Sequence, residues 1–129
     1  MLADARSRIA RYAPAEAVAA GVLLVDTRSQ DERRRTGVIP GSIHVPLSVL
    51  PWRADPESRW SNPELAGREL VLACAEGHSS SLAAGRLREL GIAAGDLEGG
   101  FEAWLAAGLP VTPAPPERPG LPGMGGPDL

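Results

Sequence analysis

The only cysteine of the chain, Cys74, lies where a nucleophile could act. It ends the apolar run ELVLAC, residues 69–74, which is typical of a strand buried on both faces, and the polar turn AEGHS follows it. A helix is predicted to begin near Ser80, so its free backbone N–H groups and positive dipole end point at the turn. Gly77 allows backbone angles that other residues avoid. Backbone N–H groups folded around one sulfur would lower the pKa of Cys74 below the free value of about 8.5.

The alternative interpretation of Cys74 is an inert core residue, because free cysteines are among the most buried residue types. Its position favours a reactive role, since ligands of open parallel sheets bind outside the carboxyl ends of the strands. From the residues alone, the two interpretations stay open. A single cysteine cannot form an internal disulfide, which favours a reducing compartment, and we expect a cytoplasmic protein.

The composition predicts one soluble globular domain and excludes several classes of partner. The chain has 129 residues, of which 43% are hydrophobic and 22% charged. Its formal net charge of −3 gives no electrostatic reason to bind nucleic acid or an anionic membrane. No stretch approaches the roughly 20 apolar residues of a membrane span, and the N-terminus lacks the apolar core of a signal peptide. Two histidines and one cysteine at these spacings predict no metal site, and we expect no cofactor.

Strands and helices alternate along the chain. Apolar runs at 22–25 and 69–74 indicate buried strands, a third strand is expected at about 42–45, and IAAGDLEGG is a weak fourth. Helices are predicted over 14–20 and 79–90, and a last short one over FEAWLAAG. Strands that alternate with helices form a parallel sheet covered on both faces, so we expect an α/β fold.

Three segments are expected. Residues 1–13 are interpreted as a loose or helical lead-in, and residues 14–112 as the folded domain. Residues 113–129 are dense in proline and glycine and offer almost nothing to pack, so we expect a disordered tail.

Four sequence blocks resemble the single-domain rhodanese-like sulfurtransferases. CAEGHSS, followed by an Ala/Leu-rich helix, is similar to their active-site loop, and LLVDTRSQDE to their strand that ends in Asp-x-Arg. GVIPGSIHVP and LEGGFEAWLAAGLPV are similar to two further blocks of the family. The blocks occur in the family's order and cover about residues 14–112. The resemblance implies a central, mostly parallel sheet of about five strands flanked by helices on both faces.

The resemblance also implies a covalent mechanism with Cys74 as the nucleophile. The thiolate would take the outer sulfur of thiosulfate or a persulfide, and a thiophilic acceptor such as cyanide, a thiol or a partner's cysteine would then remove it. Asp26 and Arg28 would support the site through charge-assisted bonds, with Arg28 paired to Glu32 or to a loop. The persulfide would be held by a loop of six residues, Ala75, Glu76, Gly77, His78, Ser79 and Ser80.

The length of this turn separates sulfur transfer from phosphate chemistry. Cysteine-based phosphatases of the related fold place an Arg six positions after the cysteine, where it clamps the oxyanion through two bonds. That position holds Ser80, and the first downstream arginine is Arg86, well inside the predicted helix. The sequence therefore favours transfer of a single sulfur atom.

Other polar residues have structural interpretations beside functional ones. Glu76 would oppose a dianion if it points inward, which disfavours thiosulfate as the natural donor. His78 would stabilise the bound anion or tune the thiolate, unless it is simply an exposed turn residue. The hydroxyls of Ser79 and Ser80 either cap the helix or bind the persulfide. His44 is expected to be a satisfied structural histidine.

Two more features and one alternative function remain from the sequence. The run RRR, residues 33–35, is expected to be a solvated helix end, with docking of an acidic partner as the less favoured interpretation. Trp52 and Trp60 either pack in loops or wall the active-site pocket. The alternative to an enzyme is a persulfide carrier in a sulfur relay, which would meet relay proteins and turn over small molecules slowly.

Overall fold

Helices and strands alternate along the part of the chain that the computed structural model describes, residues 1–116 and 121–128. The strands are β1 (Ala10–Tyr12), β2 (Leu23–Asp26), β3 (Ile43–His44), β4 (Leu70–Ala73) and β5 (Ala94–Leu97). The helices are α1 (Leu2–Ser7), α2 (Pro14–Ala20), α3 (Gln30–Thr36), α4 (Leu50–Ala54), α5 (Ser79–Glu89) and α6 (Gly100–Ala106). Short 3-10 turns cover Leu47–Val49 and Pro63–Leu65.

The five strands form one sheet in the order β1-β5-β4-β2-β3, and every neighbouring pair is parallel. The predicted α/β fold with a parallel sheet and flanking helices is therefore confirmed. Strands β2 and β4 lie side by side at the centre, with Asp26 in register with Ala73. Cys74 follows Ala73 directly, so the ends of β2 and β4 bring the Asp26 and Cys74 segments to one edge of the sheet.

Alternate residues of the central strands pack into two separate apolar clusters. Leu70 and Leu72 of β4 contact the first cluster, to which α4 and α5 contribute Leu50 and Leu87. Val71 of β4 faces the opposite way, into the second cluster. All four β4 residues are buried, and a strand buried on both faces gives the continuous apolar run seen in the sequence.

The first strand of the sheet lies inside the segment that was expected to be a lead-in. Ala10 pairs with Gly95 and Tyr12 with Leu97, so β1 is an edge strand beside β5. Ahead of it, α1 packs on α5 through Ala5, which is 4% exposed. The strand could not be predicted from the sequence because its three residues, ARY, are only half-buried and form no apolar run.

The C-terminal residues 121–128 lie against the domain. Asn62, 2% exposed, donates to the carbonyl oxygens of Gly123 and Gly125 at 2.9 and 3.0 Å. Arg53 Nε donates to the Pro122 carbonyl at 2.7 Å. The sequence predicted a disordered tail because proline and glycine offer few side chains to pack, but here the contacts are made by backbone carbonyls. Residues 117–120 and 129 of that predicted tail lie outside the described residues.

The arginine run at the end of α3 is only partly solvated. Arg34 and Arg35 are exposed, as expected, whereas Arg33 is 3% exposed. Its guanidinium bonds Asp26 Oδ2 at 3.2 Å and Asp128 Oδ2 at 2.5 Å. The expectation of a fully solvated run was wrong for Arg33, because Asp26 on the neighbouring strand end and Asp128, 95 positions later, compensate its charge.

Candidate active site at the Cys74 turn

Cys74 occupies the first position after the carboxyl end of β4, and the turn of residues 74–78 connects it to α5. Its residue is only 7% exposed, so it is more buried than the sequence suggested. The backbone N–H of Gly77 donates to Sγ at 3.1 Å. The Sγ atom also lies 3.2 Å from Ser80 Oγ, at the start of α5, and Ser80 is fully buried. The sulfur therefore lies among hydrogen-bonding groups rather than in an apolar core.

The surroundings of Cys74 favour the thiolate. Burial by itself raises the pKa of the thiol, but hydrogen bonds from the Ser79 and Ser80 hydroxyls and from the N–H groups of Ser80 and Gly77 outweigh it. The pKa of Cys74 consequently lies below its ordinary value. In the thiol form Cys74 can donate to Ser80, whereas in the thiolate form the Ser80 hydroxyl must donate to sulfur.

The start of α6 holds the turn from the opposite side. The backbone N–H groups of Phe101 and Glu102 donate to the carbonyl oxygens of Cys74 and Ala75 at 2.8 and 3.0 Å. These are N–H groups of the first helical turn, which have no partner within their own helix. Because these two carbonyls point outward and accept from α6, the backbone N–H groups of the turn can point inward to the sulfur.

Glycines allow the turn and α6 to approach this closely. Gly77 has φ +91°, and a Cβ at this position would lie 2.8 Å from the Gly99 nitrogen. Gly100 has φ +62°, and a Cβ there would collide with the Cys74 carbonyl. A side chain at either position would therefore both strain the backbone and push the turn away from α6. This explains the glycine at the first position of α6, Gly100, whose role the sequence did not show.

The remaining side chains of the predicted loop divide into exposed and buried groups. Glu76 and His78 have side chains that are 62% and 67% exposed, and Glu76 Oε2 lies 3.9 Å from His78 Nδ1. Ser79 is exposed, whereas Ser80 is buried against the sulfur. The helix begins after His78 with no side-chain cap, so the predicted capping by Ser79 or Ser80 is not made. The structure thus places Ser80 nearest to Cys74, and Glu76 with His78 at the rim.

Asp26 and Arg28 form a buried pair on the neighbouring strand end. Arg28 Nε and Nη2 donate to the two carboxylate oxygens of Asp26 at 3.0 and 2.9 Å. Arg28 also donates to Thr36 Oγ1 and to the Gly37 carbonyl, at 2.7 and 2.8 Å. The pairing expected with Glu32 is absent from these contacts, since Glu32 forms the capping box of α3. The expected loop contact is present through Gly37.

Arg28 links this buried pair to the Cys74 turn. Its guanidinium lies 3.8 Å from the ring centroid of Phe101, whose N–H donates to the Cys74 carbonyl. Next to it, His44 Nε2 lies 2.7 Å from the Arg28 carbonyl, which fits the expected structural histidine. Among the hydrogen bonds of the described residues, Asp26 and Arg28 make none to Sγ, and Arg28 reaches the turn only through Phe101.

A cavity and a smaller groove of the described residues lie apart from the Cys74 turn. Within residues 1–116 and 121–128, no three His, Cys, Asp or Glu side chains come together as a metal site requires. A cavity of about 600 Å³ lies beside His44 and Arg33 under the C-terminal segment, and the Cys74 turn does not line it. Trp52 and Trp60 line a separate, smaller groove together with Leu121, away from the turn. No helix of the described residues is long and apolar enough to cross a membrane.

The donors around the sulfur lead to a prediction for the pH dependence of thiol reactivity. The thiolate fraction rises as pH passes the thiol pKa, so a lowered pKa moves the rise in alkylation rate to lower pH. We expect the iodoacetamide alkylation midpoint of the native protein below about 8.5. Replacing Ser80 with alanine removes a donor and should raise the midpoint by about 0.5 to 1 pH unit.

The matched control for Ser80→Ala is Ser48→Ala, which changes an exposed serine in the 3-10 turn after β3. We expect that variant to keep the native midpoint. A native midpoint at or above the free value, or equal midpoints in all three proteins, would contradict the assigned role of the turn.

Comparison with known proteins identifies relatives of the whole domain. The model of the rhodanese-like domain family matches residues 10–107. A search of curated protein sequences gave no match. A rhodanese-related protein from Thermoplasma volcanium is 26% identical, with a TM-score of 0.67, over 81% of this chain and 98% of its own.

Two further solved structures have different functional descriptions. A protein of unknown function from Rhodopseudomonas palustris, described as a possible tyrosine phosphatase, is 35% identical with a TM-score of 0.80. That match covers 86% of this chain and 90% of the other. The thiosulfate sulfurtransferase of Pseudomonas aeruginosa is 26% identical with a TM-score of 0.65, and the match covers 81% of this chain but 19% of the larger protein.

Proposed function

Because the chain belongs to the rhodanese-like domain family, we propose that it is a sulfurtransferase that carries sulfane sulfur on Cys74. The observation that supports this most directly is the placement of one buried sulfur among the Gly77 N–H and the Ser80 hydroxyl, at 3.1 and 3.2 Å. These donors favour a negative sulfur, either the attacking thiolate or the terminal sulfur of a persulfide.

The proposed reaction has two displacement steps. In the first, the Cys74 thiolate attacks the outer sulfur of the donor, a sulfur–sulfur bond forms, and the donor's own sulfur–sulfur bond breaks. The leaving group, sulfite from thiosulfate or a thiolate from a persulfide, takes the electron pair. In the second step a nucleophilic acceptor attacks the outer sulfur, and the Cys74 thiolate leaves. The chain's own groups bind and stabilise charge, and no cofactor takes part in either step.

Phosphate chemistry is the competing function, since one relative is described as a possible tyrosine phosphatase. A phosphate monoester needs a cation that clamps its oxygens in the transition state. The loop position of that cation holds Ser80, which is fully buried against the sulfur, and Arg86 is exposed on α5. Arg28 is already bonded to Asp26, Thr36 and Gly37. These placements support transfer of a single sulfur atom over phosphate hydrolysis.

The position of Glu76 predicts a preference among sulfur donors. Its exposed carboxylate belongs to the turn that a donor must approach, so it repels thiosulfate, which holds two negative charges next to the reacting sulfur, more than a persulfide group, which holds one there. We expect kcat/KM for thiosulfate to rise about threefold to tenfold in Glu76→Gln, with a smaller change for glutathione persulfide. Thiocyanate release in the presence of cyanide measures both reactions.

Glu57→Gln is the control for Glu76→Gln, because Glu57 is an exposed carboxylate outside the turn. It should leave the rates with both donors unchanged. Equal thiosulfate kinetics in the native protein and Glu76→Gln would contradict the assigned role of Glu76. Hydrolysis of p-nitrophenyl phosphate that depends on Cys74, without thiocyanate release from any donor, would favour the phosphatase over the sulfurtransferase.

A persulfide carrier is the second candidate within the same chemistry. It is favoured because the Cys74 turn lines neither of the two cavities described above, where a small substrate could bind. A carrier would form the Cys74 persulfide but release thiocyanate no faster than the uncatalysed reaction. Rapid transfer from that persulfide to a protein cysteine, with slow transfer to cyanide, would identify the carrier.

A further inference from the structure

An arginine from outside the loop contacts the Cys74 turn. Arg6, in α1, donates from Nη2 to the Gly77 carbonyl at 3.1 Å and from Nε to Ser81 Oγ at 3.2 Å. Gly77 is the residue whose N–H donates to Cys74 Sγ. One hydrogen bond on each side of Gly77 thus connects a guanidinium at the N-terminus to the reacting sulfur.

The hydroxyl of Ser81 cannot replace Arg6 without a loss elsewhere. Ser81 Oγ lies 2.9 Å from the Gly77 carbonyl and also within a short hydrogen bond of Asp96 Oδ2. A hydroxyl carries one proton, and the charged carboxylate is the stronger acceptor. Asp96 is fully buried, with Arg11 as its charged partner at 2.9 and 3.2 Å. Because the Ser81 hydroxyl donates its one hydrogen bond to Asp96, Arg6 is the group that donates to the Gly77 carbonyl.

Helix α1 is fixed in place by contacts of its own. A Cβ at Gly85 of α5 would lie 3.1 Å from the Ala5 Cβ, so the absence of a side chain there lets the two helices approach closely. On the outer side, Arg8 pairs with Glu89 at 2.9 Å. Arg6 therefore extends from a docked helix, although α1 lies ahead of residues 10–107 that match the family model.

We propose that Arg6 is a positioning residue for the Cys74 turn, which holds the Gly77 carbonyl so that the Gly77 N–H stays directed at the sulfur. Its action is indirect, since it contacts Gly77 and Ser81 rather than Sγ. The proposal deepens the proposed function and rests on it, because it takes this turn to be the site of sulfur transfer. It also gives the N-terminal residues 1–9 a part in the chemistry, beyond packing.

Replacing Arg6 with alanine tests this role through the reactivity of the thiol. Without Arg6 the Gly77 carbonyl has lost its charged donor. Either it stays without that bond, or the Ser81 hydroxyl turns from Asp96 to donate to it. Each change weakens a contact that holds the turn. We expect the alkylation midpoint of Cys74 to rise by about 0.5 to 1 pH unit, the effect of weakening one hydrogen bond to a charged sulfur. Arg6→Lys keeps one donor and should recover part of the native midpoint.

Arg8→Ala is the matched control. Arg8 is an exposed arginine directly after α1, and it pairs with Asp4 and Glu89. It should keep the native midpoint even if it slightly weakens the docking of α1. Near-UV circular dichroism of each variant shows whether the fold is retained. If Arg6→Ala folds and keeps the native midpoint, or if Arg8→Ala raises it equally, the positioning role is wrong.

The experiment separates this inference from the proposed function, because alkylation requires no sulfur donor. A raised midpoint in Arg6→Ala, together with a native protein that accepts sulfur from no donor, would support the positioning role and reject sulfur transfer. A native protein that transfers sulfur, with an unchanged midpoint in Arg6→Ala, would do the reverse.

Discussion

Replacing Cys74 with serine is expected to abolish sulfur transfer, because the hydroxyl cannot form the persulfide on which both steps depend. The expected fall in thiocyanate release is at least about a thousandfold, down to the uncatalysed rate, as for loss of any covalent nucleophile. The substitution changes one atom in a site where Gly77 and Ser80 remain as donors, so the fold should be retained. Steady-state rates with thiosulfate and with glutathione persulfide measure the effect.

The control for Cys74→Ser is the thermal unfolding midpoint, which should remain within a few degrees of the native value. Loss of transfer in a folded protein then assigns the chemistry to the sulfur. Residual turnover above the uncatalysed rate in Cys74→Ser would contradict the covalent mechanism, because the sequence has no second cysteine to replace it.

The second large effect is expected at Asp26, whose carboxylate bonds both Arg28 and Arg33. The side chains of these two arginines are 2% and 3% exposed, so removing Asp26 leaves two buried guanidiniums with less compensation. Breaking a buried ion pair on one side costs about 3 to 5 kcal/mol, a large share of the stability of a domain this size. We expect Asp26→Ala to lose that much free energy of unfolding, or to fail to fold.

Urea denaturation followed by tryptophan fluorescence measures the change at Asp26. Asp31→Ala is its control, because Asp31 pairs with Arg34 and Arg35 on the exposed side of α3, the helix that carries Arg33, and its loss should cost less than about 1 kcal/mol. A loss at Asp26 no larger than the loss at Asp31 would contradict the assigned role of the buried pair. Asp26→Asn, which keeps the shape and one acceptor, should lose less than the alanine variant.

The sequence predicted the central strands because burial on both faces leaves a strong mark on composition. The runs LLV of β2 and LVLA of β4 have no polar residue, and their boundaries were found within one residue. Strand β1 left no such mark, since an edge strand of three half-buried residues gains its pairing from β5, which is 85 positions away in register. Edge pairing is a tertiary property that a local pattern does not show.

The candidate site likewise has a local part that the sequence predicts and distant contacts that it does not. The turn itself is local, so its glycine, its helix start and the Ser at position 80 could be recognised from spacing. The groups that hold it come from distant segments: Arg6 from α1, and the Phe101 N–H from α6. The burial of Arg33 depends on Asp128 at the other end of the chain, so the run of three arginines gave no sign that one of them is buried. Long-range polar contacts produce no periodic pattern in the sequence, so they are found only in the three-dimensional structure.

The intact mass of the native protein after incubation with a sulfur donor shows whether Cys74 carries sulfane sulfur. After excess glutathione persulfide or thiosulfate and removal of the donor, we expect an added mass of one sulfur atom, located by fragmentation on Cys74. Cyanide should remove this sulfur and release an equal amount of thiocyanate, and Cys74→Ser should acquire none. A folded native protein with a reactive Cys74 thiol that gains no sulfur from either donor would contradict sulfur transfer through Cys74.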